Sequence, residues 1–104
     1  MNENPRKDPR VPVALEVHYL NRGQLTRDLV VDLSPGGLYV RTSKPLPIGT
    51  EVELWVFVTN EDPMHVRGRV VWLRDPPAAH EGMGIQFTGV MGPVLMELVD
   101  AKKG

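Results

Sequence analysis

From Val11 onward the chain alternates with a period of two. Val13, Leu15, Val17 and Tyr19 fall on one side of an extended segment, and Ala14, Glu16, His18 and Leu20 fall on the other. Such a pattern predicts a strand with one buried face. "NRG" at 21–23 supplies a turn, and a second strand is expected from Leu25 to Leu33. After "SPGG" comes a short strand, Leu38 to Thr42, then "SKPLPIGT", whose prolines no helix can cross. Alternation resumes over 51–58, "EVELWVFV", which places Val52, Leu54, Val56 and Val58 together. Trp55 and Phe57 make the other face of this strand apolar as well, so it is either central in its sheet or part of an interface with a partner. A long strand is predicted over 64–74, "MHVRGRVVWLR", with a bulge or bend at Gly68. The turn "DPPAAHEG" then leads to "GMGIQF", where Met83, Ile85 and Phe87 face one way.

Six strands separated by turn chemistry, with nothing helical between them, predict an all-β antiparallel barrel or sandwich over residues 11–90. The last segment, 91–104, differs. Val94, Leu95, Leu98 and Val99 recur at helical spacing, Pro93 suits a first turn, and Lys102 and Lys103 suit a C-terminus. A short helix packed on the barrel is expected there. Residues 1–10 hold two prolines and, among their charges, the cluster Arg6, Lys7, Asp8 and Arg10. With nothing apolar to bury, they predict a flexible arm.

Composition narrows the function classes. A chain of 104 residues with 41% apolar content is the size of one domain. Its net charge of −1, from 12 Lys+Arg against 13 Asp+Glu, is too weak to draw it onto DNA, RNA or an anionic membrane, so any anion site must come from local clustering. Having no cysteine, it lacks disulfides, thiolate metal sites and cysteine nucleophiles. The N-terminus has no apolar h-region and no run of 18 apolar residues occurs, which predicts a cytoplasmic protein without membrane insertion.

Catalytic chemistry is poorly represented. His18, His65 and His80 are scattered without metal-ligand spacing, and "DLSPG" around Ser34 is not a nucleophile elbow. No enzyme activity, metal or cofactor is expected. Of the six aromatics, Tyr19, Trp72 and Phe87 fall on apolar strand faces, where core packing is the expected role. Two polar clusters remain, "RKDPR" and "DLSPGG". Separately they read as a solvated arm and as a turn whose Asp and Ser oxygens satisfy its own amides.

Taken in order, R-x-x-x-R at 6–10 and D-x-S-x-x-G at 32–37, with 21 residues between Arg10 and Asp32, the chain resembles the PilZ domain family. "RVPVALEV", "GGLYVRTSKPLPIGTEVEL", "VRGRVVWLR" and "GMGIQF" extend the resemblance over residues 5–90. It implies a six-stranded antiparallel β-barrel and, as in many members, binding of the bacterial second messenger cyclic di-GMP. The implied ligand residues are Arg6, Arg10, Asp32, Ser34 and Gly37, with Gly36 and Trp72 as further candidates. Many members that stack two ligand molecules carry another arginine before the first motif; Pro5 stands there in this chain, which implies one bound molecule.

The residue types suit that ligand. Two guanidinium forks can pair with phosphate oxygens or with guanine O6 and N7, and Pro9 stiffens the path between them. Asp32 offers an acceptor for guanine N1–H or N2–H, and Ser34 offers a hydroxyl. Gly37 permits either a positive φ or an approach that a Cβ would block. Since the remaining residues are too few for an output domain, the signal is expected to pass to an unidentified effector protein in motility, adhesion or envelope regulation. The alternative is an interaction module that needs no ligand and engages a motility or chemosensory partner through Trp55 and Phe57.

Overall fold

The structure is a computed structural model that describes residues 10–74 and 81–102. Arg6, His80 and Lys103 lie outside the described residues, as does all of the expected arm except Arg10. The described chain forms β1 (Val11–Asn21), β2 (Gln24–Ser34), β3 (Gly37–Arg41), β4 (Glu51–Phe57), β5 (Met64–Arg74), β6 (Gly82–Phe87) and α1 (Gly92–Lys102). The strands close into an antiparallel barrel in the order β1-β2-β3-β6-β5-β4. Each strand therefore has two partners, and β4 lies between β1 and β5. Its inner residues Val52, Leu54 and Val56 are buried, while Trp55 and Phe57 stand outside against His65 and His18.

Alternation builds the core. Val17 and Tyr19, Leu38 and Val40, Val66 and Val70, and Met83 and Ile85 point inward from their strands and are fully or almost fully buried. α1 adds Leu95, Met96 and Val99 to the same cluster. The expected helix face is corrected at two positions: Val94 is 44% exposed, and Met96 is buried in its place. Only one helical face reaches the barrel, and it runs through residues 95, 96 and 99.

Three strands break their register. β1 slips between Pro12 and Leu15, where proline cannot donate to the ladder. β2 slips between Val30 and Asp32, and β5 between Val70 and Trp72. The irregularity expected at Gly68 thus falls further along β5. Gly68 is required for a different reason: a Cβ there would collide with the Ile85 side chain and the Gln86 carbonyl.

The last two slips place the site. Even-numbered residues of β2 point inward up to Val30, and the slip reverses the phase so that Leu33 is buried and Asp32 points outward. In β5, Val66 and Val70 point inward, and the slip turns Trp72 out while Leu73 packs on the core. The core role expected for Trp72 from simple alternation is therefore corrected: its side chain is half-buried on the outer face.

Candidate functional site

The paired residues form one outward row across the sheet: Pro12 with Asp32, Asp32 with Tyr39, Tyr39 with Gly84, and Gly84 with Trp72. Glycine at 84 makes the row continuous, because a Cβ would occupy the space of the Trp72 indole. The indole instead lies across the strand and stacks on Tyr39, with centroids 5.0 Å apart and planes 14° from parallel. Arg74 caps the pair, its guanidinium carbon 5.1 Å from the Tyr39 centroid and 5.6 Å from that of Trp72. Tyr39 is only 3% exposed. Burial pushes its phenol above the ordinary range, an effect opposed by the Arg74 charge and reinforced by Glu81.

At the other end of the row, Arg10 Nη1 donates to Asp32 Oδ2 at 2.9 Å. Asp32 Oδ1 is buried and has no hydrogen-bond partner among the described residues. A carboxylate oxygen placed so is an unmet acceptor. Two adjoining hollows, each of about 270 Å³, flank it and share Arg10 and Trp72. The first is bounded by Asp32, Tyr39 and Arg74, the second by Ser34, Gly36 and Gly37.

The turn residues divide by role. Pro35 and Gly36 form the two-residue turn between β2 and β3. Ser34, 7% exposed, donates its hydroxyl to the Gly37 carbonyl at 3.3 Å, so its proton holds the turn. Gly36 accepts from the Phe87 amide at 2.9 Å, tying the turn to β6. Of the two reasons offered for Gly37, close approach decides, and no positive φ is involved: a Cβ would collide with the Ile85 carbonyl. Asp32, in contrast, makes no bond within the turn.

Of the residues predicted from sequence, Arg10, Asp32, Ser34, Gly36, Gly37 and Trp72 all border these two hollows. Trp55 and Phe57 do not; they lie on β4, on another part of the barrel wall. Tyr39 and Arg74 complete the site without having been assigned to it. The legible signal was the pair Gly82 and Gly84 on β6, which carries no side chain between β3 and β5 and so leaves room for a large ring. Among the described residues no group of three or more His, Cys, Asp or Glu could hold a metal ion.

The chain is a six-stranded antiparallel barrel with a short C-terminal helix, bearing a polar turn and an aromatic row on its outer wall. The chain matches the PilZ domain over residues 4–100 and belongs to that family. Among solved structures it is similar to the Bacillus subtilis inhibitor of motility MotI/DgrA, at 17% identity and TM-score 0.73, over 95% of this chain and 49% of that one. It is also similar to the PilZ domain of YcgR from Escherichia coli with c-di-GMP, at 18% identity and TM-score 0.69, over 91% of this chain and 86% of that one. The K. pneumonia MrkH–c-di-GMP complex aligns at 15% identity and TM-score 0.68, over 97% of this chain and 56% of that one. The chain thus spans about half the length of MotI/DgrA and MrkH. At these identities the likeness is one of fold. No curated protein matches the sequence at a significant level. Among the described residues, no helix is long and apolar enough to cross a membrane.

Proposed function

We propose that this chain binds cyclic di-GMP on the outer wall of the barrel and passes the signal to a partner protein in motility, adhesion or envelope regulation. Asp32 carries the assignment. Its carboxylate is turned out of the core, held at one oxygen by Arg10, and left at the other with a buried acceptor that has no partner among the described residues. Guanine N1–H and N2–H are donors of the kind that acceptor lacks. Arg10 and Arg74 supply two cations for the two phosphodiester charges of the ligand, and the Tyr39–Trp72 stack offers a flat face for a base. Arg6 adds a second fork from the arm. Ser34 and Gly36 act by fixing the turn, through the bonds to the Gly37 carbonyl and from the Phe87 amide, and Gly37 by its close backbone approach to Ile85. The YcgR PilZ domain and MrkH, solved with c-di-GMP, share the fold and support the choice of ligand.

Titration calorimetry tests this. Micromolar or tighter binding is expected, at one molecule per chain, and it is lost in Arg10→Ala and Asp32→Ala while circular dichroism stays unchanged. No heat with ligand far above micromolar concentration rejects the assignment.

A second reading rests on Trp55, 37% exposed and stacked on His65 at 4.8 Å. A large aromatic left on the surface suits contact with a partner that needs no nucleotide. Partner capture that is insensitive to cyclic di-GMP and to Arg6→Ala, but lost in Trp55→Ala, favours it.

A further inference from the structure

Two hollows larger than those beside Asp32 adjoin one another next to the β1–β2 hairpin, of about 490 and 560 Å³. They share Asp28, Thr42 and Ser43. Four cations border them, Arg27 and Arg41 the first and Arg22 and Lys44 the second, against the two acids Asp28 and Glu81. All four side chains are exposed, and none makes an ion pair among the described residues.

The fold does not require this clustering. Leu29 pairs with Arg41, and Arg27 stands on the same outer face two residues along β2, so two guanidiniums are held near each other where neighbouring like charges repel. Arg22 occupies the first place of the hairpin turn at φ 52°, followed by Gly23 at 84°. Glycine and asparagine are the usual occupants of that left-handed position, so the arginine is kept there against its backbone preference.

The floor is polar. Tyr19, fully buried, donates to Asp28 Oδ2 at 2.6 Å, which engages that carboxylate within the barrel mouth. The Thr42 hydroxyl accepts the Lys44 amide at 3.1 Å, and Asn21 Nδ2 donates to the Lys44 carbonyl at 2.9 Å, fixing the loop that carries Lys44.

We infer that this groove binds an extended acidic segment of a partner protein. The inference deepens the adaptor reading and rests on it for the existence of a partner. Carboxylates on alternate residues of an extended peptide recur at about 7 Å, a spacing that lets separate cations each meet one. The Thr26, Ser43 and Gln24 side chains along the groove offer partners for the peptide backbone. Nucleic acid fits less well. No aromatic side chain among the described residues lines either hollow for base stacking. Arg41 lies two residues from Tyr39 on the same face of β3, so the groove adjoins the proposed nucleotide site. A partner seated there would contact the edge of bound ligand.

The test is fluorescence anisotropy with a fluorescein-labelled glutamate–serine repeat peptide and the full chain. Saturable binding at low salt is expected, weakening about tenfold at physiological ionic strength and about tenfold more in Arg27→Glu/Arg41→Glu. A lysine–serine peptide does not bind, and Arg10→Ala leaves the affinity unchanged. Lys44→Glu, on an exposed loop, repeats the test should the double reversal disturb β2–β3 pairing. Absence of saturable binding, or equal affinity in the reversed variants, overturns the inference. So does a labelled oligonucleotide that binds more tightly than the peptide and is lost in the same variants. Cyclic di-GMP calorimetry on the wild-type chain beside the peptide titration separates the two proposals: nucleotide binding without peptide binding refutes only the groove, and peptide binding without nucleotide binding refutes only the nucleotide site.

Discussion

Replacing Asp32 by alanine should make the free protein more stable and less able to respond to ligand. The buried Oδ1 has no partner among the described residues, and an unmet buried acceptor costs about 1–3 kcal/mol. Against this stands the loss of the Arg10–Asp32 ion pair, whose side chains are 35% and 32% exposed. Solvent screens such a pair to about 0–1 kcal/mol. The difference favours the variant by about 1 kcal/mol, or roughly 4–8 °C in melting temperature for a domain of this size. Ligand reverses the order. At a hundredfold excess over its dissociation constant, cyclic di-GMP should stabilise the wild type by about 2.7 kcal/mol and leave the variant unmoved. Urea denaturation followed by tryptophan fluorescence, with and without ligand, measures both quantities. A loss of more than about 1 kcal/mol in the free variant would show that the carboxylate is structural, and a ligand shift equal to the wild type's would remove it from the site.

Gly84→Ala should push the Trp72 indole off Tyr39, lowering stability by about 1–3 kcal/mol in urea and cyclic di-GMP affinity with it; unchanged affinity would mean the stack is not part of the site. Gly37→Ala should cost about 3 kcal/mol, because its Cβ meets the backbone carbonyl of Ile85, which cannot yield as a side chain could; a loss under about 1 kcal/mol refutes that contact. Tyr19→Phe removes the hydrogen bond to Asp28 and should cost about 1.5–3 kcal/mol at neutral pH. Burial, then the bond to Asp28, hold the Tyr19 phenol well above its ordinary range. Below about pH 10 the phenol is protonated whether folded or not, and its contribution is fully present. As pH rises past that point the unfolded chain releases the proton first, so stability falls. Denaturation midpoints taken across alkaline pH should fall less steeply in Tyr19→Phe than in the wild type, and equal slopes would refute the assignment.

Much of the barrel could be read directly from the residues. Alternation located all six strands to within a residue or two, and most of the inward set followed, from Val17 and Tyr19 to Met83 and Ile85. Two motifs far apart in sequence pointed to one neighbourhood, and Arg10 and Asp32 do meet there at 2.9 Å. Ser34 does bond its own turn, but it donates to the Gly37 carbonyl where the residue pattern suggested that its oxygen would accept a turn amide. These features depend on local preference and on period, which a linear pattern records.

The site's working surface was decided by the tertiary structure. Strict period two sends Asp32 and Trp72 inward; both face out because β2 and β5 each gain a residue against their neighbours, which reverses the phase of everything beyond the slip. A slip is a property of the pairing between strands, so neither strand's own sequence reveals it. The same holds for Tyr39 and Arg74, which became site residues only when barrel closure set them on either side of a strand carrying glycine at 82 and 84. Sequence supplied the strands, the turn and the charged residues; register determined which of their side chains face out of the barrel.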